Sequence, residues 1–168
     1  CAESNTAVDR MIDGLVAVGL SVVRTYPASR EEDAAKINAK ARLSHHMEIV
    51  GHTKAGQVLQ ALNQLQLEGP LEQSDVMART KVKAEAELSA IRAADVVCCT
   101  LSHSGSALLQ ALQFERVVCD EAAQALEPHL WIPLTLGARQ FVMLGDHKQL
   151  GPISKCRATE AAGYNTSM

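Results

Sequence analysis

Aromatic side chains are nearly absent: two Phe, two Tyr and one Trp in 168 residues. Any core must therefore be built from Leu, Val, Ile, Ala and Met, and a hydrophobic share of 47% supplies enough of them for one ordinary domain. None of the five cysteines, Cys1, Cys98, Cys99, Cys119 and Cys156, forms a C-x-x-C pair. That spacing excludes a zinc ribbon or a dithiol redox motif. Three of the five sit in apolar, strand-like runs, so free buried thiols in a reducing compartment are expected. A strong excess of charge is missing too: the formal net charge is -3 and the pI about 6.1. This argues against a protein that coats nucleic acid, but leaves room for a local basic groove. No apolar run approaches the ~20 residues of a membrane span, and no basic-then-apolar signal segment occurs in the 168 residues. A soluble, intracellular protein without membrane contact is the expectation. Internal repeats and low-complexity tracts are absent as well. The chain opens on Cys1-Ala2-Glu3-Ser4 without Met and stops at Asn165-Thr166-Ser167-Met168; both ends read as those of a fragment of a longer protein.

What is present alternates between two periodicities. Thr6 to Val18 carries apolar residues at helical spacing, with Ser4 or Asn5 as N-cap and Gly19 as its stop. Leu20 to Arg24 reads as a strand. From Arg30 to Arg92 the composition turns to Ala, Glu, Lys, Gln and Leu, with the best helices at Ala55 to Leu67 and Ser74 to Ala93. The charges Arg79, Lys81, Lys83, Glu85 and Glu87 read as a solvated helix face. Ala94 to Thr100 returns to strand character, Ser102 to Ser106 reads as a polar loop, and Ala107 to Leu112 as a short helix. Val117 to Cys119 and Phe141 to Leu144 are two short buried strands, separated by a helix that starts near Glu127-Pro128. Strands and helices in this order predict an α/β fold, a parallel sheet with helices on both faces. The predicted divisions are 1–29 and 94–168 for the sheet domain and 30–93 for a helical insertion. His45, His46 and His52 show no metal-ligand spacing and read as exposed; Trp131 reads as core.

The chemistry concentrates where apolar runs end. Asp120 and Glu121 follow the first of the two late strands, with Gln124 in the same turn; Gly145-Asp146-His147-Lys148-Gln149 follows the second. In open α/β sheets, ligands bind outside the C-terminal ends of the strands. Alone, the Asp-Glu pair reads as a helix cap and the Gly-Asp as a turn. Together they suit a Mg-nucleotide site. Asp120 can hold Mg²⁺ directly or through its waters, Glu121 can activate a water, and the Gln149 amide can sense a γ-phosphate. Thr100 and the loop after it, with Ser102, and Ser4-Asn5 at the first strand-to-helix turn offer hydroxyls and backbone N–H groups to phosphates of a single strand.

Four segments carry a family resemblance: Cys-Ala-Glu-Ser-Asn-Thr-Ala-Val-Asp (1–9), Val-Val-Cys-Cys-Thr (96–100), Asp-Glu-Ala-Ala-Gln (120–124) and Gly-Asp-His-Lys-Gln-Leu-Gly-Pro (145–152). They resemble motifs Ia, Ic, II and III of superfamily 1 helicases, and match best the up-frameshift and senataxin-like family, in the family's order. The resemblance implies a RecA-like P-loop NTPase domain, one of a pair that clamps ATP. It implies ATP and Mg²⁺ as cofactors and translocation on single-stranded RNA or DNA with duplex unwinding. It points to RNA surveillance by nonsense-mediated decay, with surveillance proteins as partners and the cytoplasm, or alternatively the nucleus, as location. By position, Asp120 resembles the Mg²⁺ acid, Glu121 the water-activating residue and Gln149 the γ-phosphate sensor, with Gln124 beside the nucleotide. Ser4, Asn5, Thr100 and Ser102 resemble nucleic-acid contacts. One departure stands out: the family usually has Pro where this chain has Glu3, which sets an acid beside a phosphate contact. No G-x-x-x-x-G-K-[ST] occurs in the 168 residues, so the phosphate-cradling loop is absent from them, as is the second RecA-like domain. Without the family's P-loop strand beside it, Phe141 to Leu144 becomes an exposed apolar edge. These residues alone are therefore expected to be inactive. The competing expectation is a non-catalytic nucleic-acid- or protein-binding module of the same fold.

Overall fold

The computed structural model describes residues 1–27, 39–42, 61, 73–154 and 156–167. Of the expected helix from Ala55 to Leu67 only Ala61 is described, and the histidines 45, 46 and 52 lie outside the described residues. The chain divides into two compact units, one of Leu15–Thr25 and Glu32–Val97, the other of Cys1–Gly14, Tyr26–Glu31 and Cys98–Met168.

In the first of these units, strand β1 (Val22–Arg24) follows the end of helix α1 (Asn5–Ala17). Gly19 closes that helix with φ +88°, a left-handed conformation that glycine adopts without strain. Its N–H donates to Val16 O at 3.1 Å. Helix α2 (Gln73–Ala93) buries Ala86, Ala90 and Ile91 and exposes Lys81, Lys83 and Glu85. Three of the five expected charges thus face solvent, while Arg79 and Glu87 are half-buried and Glu87 pairs with Lys83. Strand β2 (Val96–Cys98) pairs with β1. The Asp95 carboxylate and backbone bind the chain at Ser21: Ser21 N donates to Asp95 Oδ2 at 2.9 Å, and Asp95 N donates back to Ser21 O at 2.9 Å.

The other unit carries the motifs. Its elements in chain order are the first part of α1, the one-turn helices α3 (Leu101–Ser104) and α4 (Ala107–Gln110), and strand β3 (Arg116–Cys119). A 3-10 turn (Ala122–Gln124), helix α5 (Glu127–Leu134), strand β4 (Gln140–Met143) and helix α6 (Arg157–Ala161) complete it. Strands β3 and β4 pair in parallel, with Arg116 opposite Gln140 and Cys119 opposite Met143. Ala2 adds an extended segment on the other side of β3. It forms parallel bridges to Asp120 and to Thr100. A parallel ladder needs a crossover between partners, and α5 with its flanking turns is the crossover from β3 to β4. The expected α/β architecture is present.

Alternation decides which face is covered. In β3 the pattern is exposed, buried, exposed, buried, so Val117 and Cys119 face inward. Cys119 packs with Leu101, Ala122, Ala125 and Leu130, and Cys1 and Phe141 close over them. Helix α5 lies against both α3 and β3. Full burial of Leu101 and Leu130 is worth about 1.5–3 kcal/mol each. The opposite face is less covered among the described residues: Val118 is 45% and Val142 is 48% exposed. Met143 and Leu144 are also exposed, so β4 is the open apolar edge among the described strands.

Two local expectations change. Ser102–Ser106 is not a loop throughout: Leu101–Ser104 makes one helical turn. Thr100 Oγ1 caps it by accepting the His103 N–H, and burial of Leu101 and Ser104, three residues apart, holds it inward. Trp131 is not core; it is 53% exposed. Helix α5 buries Leu130 and Pro133, again three apart, and Trp131 falls off that face.

Candidate nucleotide and nucleic-acid site

The sheet order brings four chain segments to one rim. Hydrogen bonds run from Cys1 N to Val118 O (2.6 Å), Asp120 N to Cys1 O (2.9 Å) and Leu101 N to Ala2 O (2.9 Å). All segments are parallel, so each one's next residues emerge on the same side: Glu3-Ser4 after Ala2, Ser102 after Thr100, Glu121 after Asp120, and Gly145 to Gln149 after β4. That is the C-terminal side where open α/β sheets take ligands.

The turn after β3 is held at several points. Glu121 adopts φ 55°, ψ 37°, a left-handed conformation that costs a non-glycine residue about 1–2 kcal/mol. The Asp120 Oδ1 accepts the Glu121 N–H at 3.0 Å, which offsets part of that cost. Gln124 Nε2 donates to Glu121 Oε2 at 3.0 Å. Next, Ala122 N donates to Leu144 O and Leu144 N to Cys119 O, both at 2.8 Å, so the turn is laced to the end of β4. Gly145 makes this approach possible. A Cβ there would lie 2.8 Å from the backbone nitrogen of Ala123, too close for any side chain.

The turn after β4 is held mainly by itself. Asp146 Oδ1 accepts the Lys148 N–H at 2.9 Å, Asp146 O accepts the Gln149 N–H at 3.0 Å, and Gln149 Nε2 reaches Asp146 Oδ2 at 3.4 Å. Residues 145 to 151 are exposed.

Ser4 and Thr100 are both helix caps. Ser4 Oγ accepts the Ala7 N–H at 3.1 Å, so the predicted cap of α1 forms. A hydroxyl that accepts still has its own hydrogen to donate. Ser4 and Ser102 are exposed, Asn5 half-buried and Thr100 buried. The rim also holds a pairing with no signal in the sequence. His129 Nδ1, in the first turn of α5, lies 3.0 and 3.1 Å from the two oxygens of Glu3.

Adjacent carboxylates with a fixed backbone fit Mg²⁺, which takes one or two acids and keeps waters. They do not fit a metal that needs a full protein cage, and no cluster of three or more His, Cys, Asp or Glu occurs among the described residues. The thiols divide. Burial pushes Cys119 up to about 11, while hydrogen bonds from the Thr159 and Ala158 backbone lower the exposed Cys156. No disulfide links the five cysteines, and Cys98, Cys99 and Cys119 are buried as expected. No described helix is long and apolar enough to cross a membrane.

Comparison with known proteins agrees with this geometry. Residues 63–157 match the AAA domain family. Over its full length the chain is 37% identical to the regulator of nonsense transcripts 1 homolog of Neurospora crassa, of which it covers 15%. It is 38% identical to the ATP-dependent helicase upf1 of Schizosaccharomyces pombe, covering 18% of that protein. Identity to the ATP-dependent helicase NAM7 of Saccharomyces cerevisiae is 36%, with 17% covered. The chain thus spans less than a fifth of the length of these relatives. A parallel sheet with acids at its C-terminal rim and a family match over more than half of its length lead to one assignment: the chain belongs to the AAA domain family, with part of a RecA-like P-loop NTPase fold.

Proposed function

We propose that the whole protein is an ATP-dependent helicase that moves on single-stranded RNA, or DNA, and serves RNA surveillance in nonsense-mediated decay. One observation carries this reading: β3 and β4 are neighbouring parallel strands, so Asp120, Glu121 and Gln149 follow strand ends on the same rim. The names of the relatives, regulators of nonsense transcripts and ATP-dependent helicases, support it.

The roles follow from the chemistry. Asp120 holds Mg²⁺, which neutralises phosphate charge when bound. Glu121, its carboxylate steadied by Gln124, orients the attacking water and takes its proton. The exposed Gln149 amide turns from Asp146 to the γ-phosphate, and loses that partner after hydrolysis. Ser4, Asn5, Thr100 and Ser102 meet the sugar-phosphate backbone, which gives affinity without sequence. Surveillance proteins are the expected partners, and the cytoplasm the expected location, with the nucleus as alternative. The 168 residues by themselves, with no G-x-x-x-x-G-K-[ST], hydrolyse no ATP.

The test is phosphate release by the full-length protein with and without single-stranded RNA or DNA. Stimulated release that disappears in Asp120→Asn is expected. A full-length protein that binds RNA but releases no phosphate would establish the non-catalytic module instead.

A further inference from the structure

Glu3 places a negative charge on the rim next to Ser4, where a phosphate is proposed to pass. The structure contains an answer to that conflict. We propose that His129 is a positioning residue for the nucleic-acid face: it captures the Glu3 carboxylate and holds it off the path of the strand. The inference rests on the reading above that the Ser4 turn meets the sugar-phosphate backbone.

The two anchors of the pair are fixed independently. Glu3 follows Ala2, which is bridged on one side to Thr100 and on the other to Asp120. Its side chain therefore leaves from a backbone that cannot drift. His129 sits in the first turn of α5, with its N–H on Leu126 O at 2.9 Å, and that helix lies against α3 and β3. The imidazole meets both carboxylate oxygens, at 3.0 and 3.1 Å, across 126 positions of sequence. An ionised carboxylate only accepts, so Nδ1 carries the hydrogen and donates to it. The other acids of the rim are engaged elsewhere: Asp120 Oδ1 accepts the Glu121 N–H, Glu121 Oε2 accepts from Gln124, and Asp146 Oδ1 accepts the Lys148 N–H. Both side chains of the pair are about one-third exposed, 35% for His129 and 33% for Glu3. Water and salt therefore reach them, and the pair contributes little to stability. Its effect is directional. With His129 in place, the carboxylate is turned toward α5. Without it, the carboxylate is free to swing over the Ser4 turn and oppose an incoming phosphate.

The experiment is equilibrium binding of a labelled single-stranded oligouridylate to the full-length protein, without nucleotide, at low and high salt. A unit charge released within a few Å of a phosphate in a water-like medium weakens binding about fivefold, and this is the expected loss for His129→Ala at low salt. The loss should shrink toward nothing near ~1 M salt, where the screening length is about 3 Å. Glu3→Gln should bind at least as tightly as the parent, and the double variant Glu3→Gln, His129→Ala should recover the parent's affinity. His129→Asn, which keeps a donor at similar reach, should stay close to the parent. A double variant as weak as His129→Ala alone, or a loss indifferent to salt, would overturn the proposal in favour of a purely structural role. So would unchanged binding by His129→Ala. Ser4→Asp separates this failure from failure of the underlying reading, because Asp keeps the helix cap but adds charge. If Ser4→Asp binds RNA as the parent does, the Ser4 turn is not a contact and the underlying reading falls. If it weakens binding while His129→Ala does not, only the role of His129 falls.

Discussion

The turns after β3 and β4 start side by side and are held in different ways. The first is seated on the core: Ala122 and Ala125 are buried with Leu130, and Ala122 N is bonded to Leu144 O. Its acid, Glu121, is fixed through both backbone and carboxylate. The second turn is exposed from Gly145 to Gly151, and its side-chain bonds run back to Asp146 within the same turn. The contrast matches the tasks proposed for them. A group that activates water must wait in place, since misplacement by 1 Å can cost ~100-fold in rate. A group that reports the state of a phosphate must be free to exchange partners.

The comparison can be broken from the core upward. Leu130→Ala removes the floor of the first turn and should destabilise the full-length protein by about 2–5 kcal/mol, read as a fall in its first melting transition. In the 168 residues alone, where its face is open, Val142→Thr should cost no more than about 0.5 kcal/mol, against about 2–5 kcal/mol for Leu130→Ala in the same chain. Comparable losses from the two would show that the faces do not differ as described. A smaller pair tests the glycines. Gly145→Ala forces a Cβ against Ala123 N and should cost about 1–3 kcal/mol, with ATP turnover falling too. Gly151→Ala meets nothing within 4 Å and should leave melting and turnover unchanged.

Gln124→Met keeps side-chain length but removes the amide that steadies Glu121. Turnover should drop about tenfold with KM for ATP held, since an orienting contact contributes to kcat. If KM rises and kcat holds, Gln124 touches the nucleotide instead. The smallest effects concern thiols. Cys156 is exposed and its thiol lowered, so it should be alkylated first at neutral pH, and Cys119 only on unfolding. Cys119 also sets a sign for pH. Its folded value of about 11 exceeds the ordinary 9.0. The folded state then holds the proton longer, and this thiol's contribution to stability is complete below 9 and lost as pH rises toward 11. An alkaline melting series on the parent and Cys119→Ala reads the difference.

Much of this was legible in the chain. Val117 to Cys119 and Phe141 to Leu144 are short apolar runs closed by polar residues, so strand, strand end and site follow from local pattern. The N-cap at Ser4 and the stop at Gly19 are local as well. The turn at Leu101 is not legible in the sequence because one helical turn is too short to show periodicity; the Thr100 cap is its only signal. Trp131 departs from the rule that a large apolar ring is buried because Leu130 and Pro133 define the buried face of α5. The Glu3–His129 pair could not be read at all: nothing in either neighbourhood announces a partner 126 residues away.

The central claim is that Glu121, steadied beside β4, is the residue that activates water. Glu121→Gln in the full-length protein, followed by nucleotide binding and RNA-stimulated phosphate release on one preparation, tests it most directly. The account predicts ATP bound as in the parent and no phosphate released above background. Phosphate release at the parent's rate would contradict it.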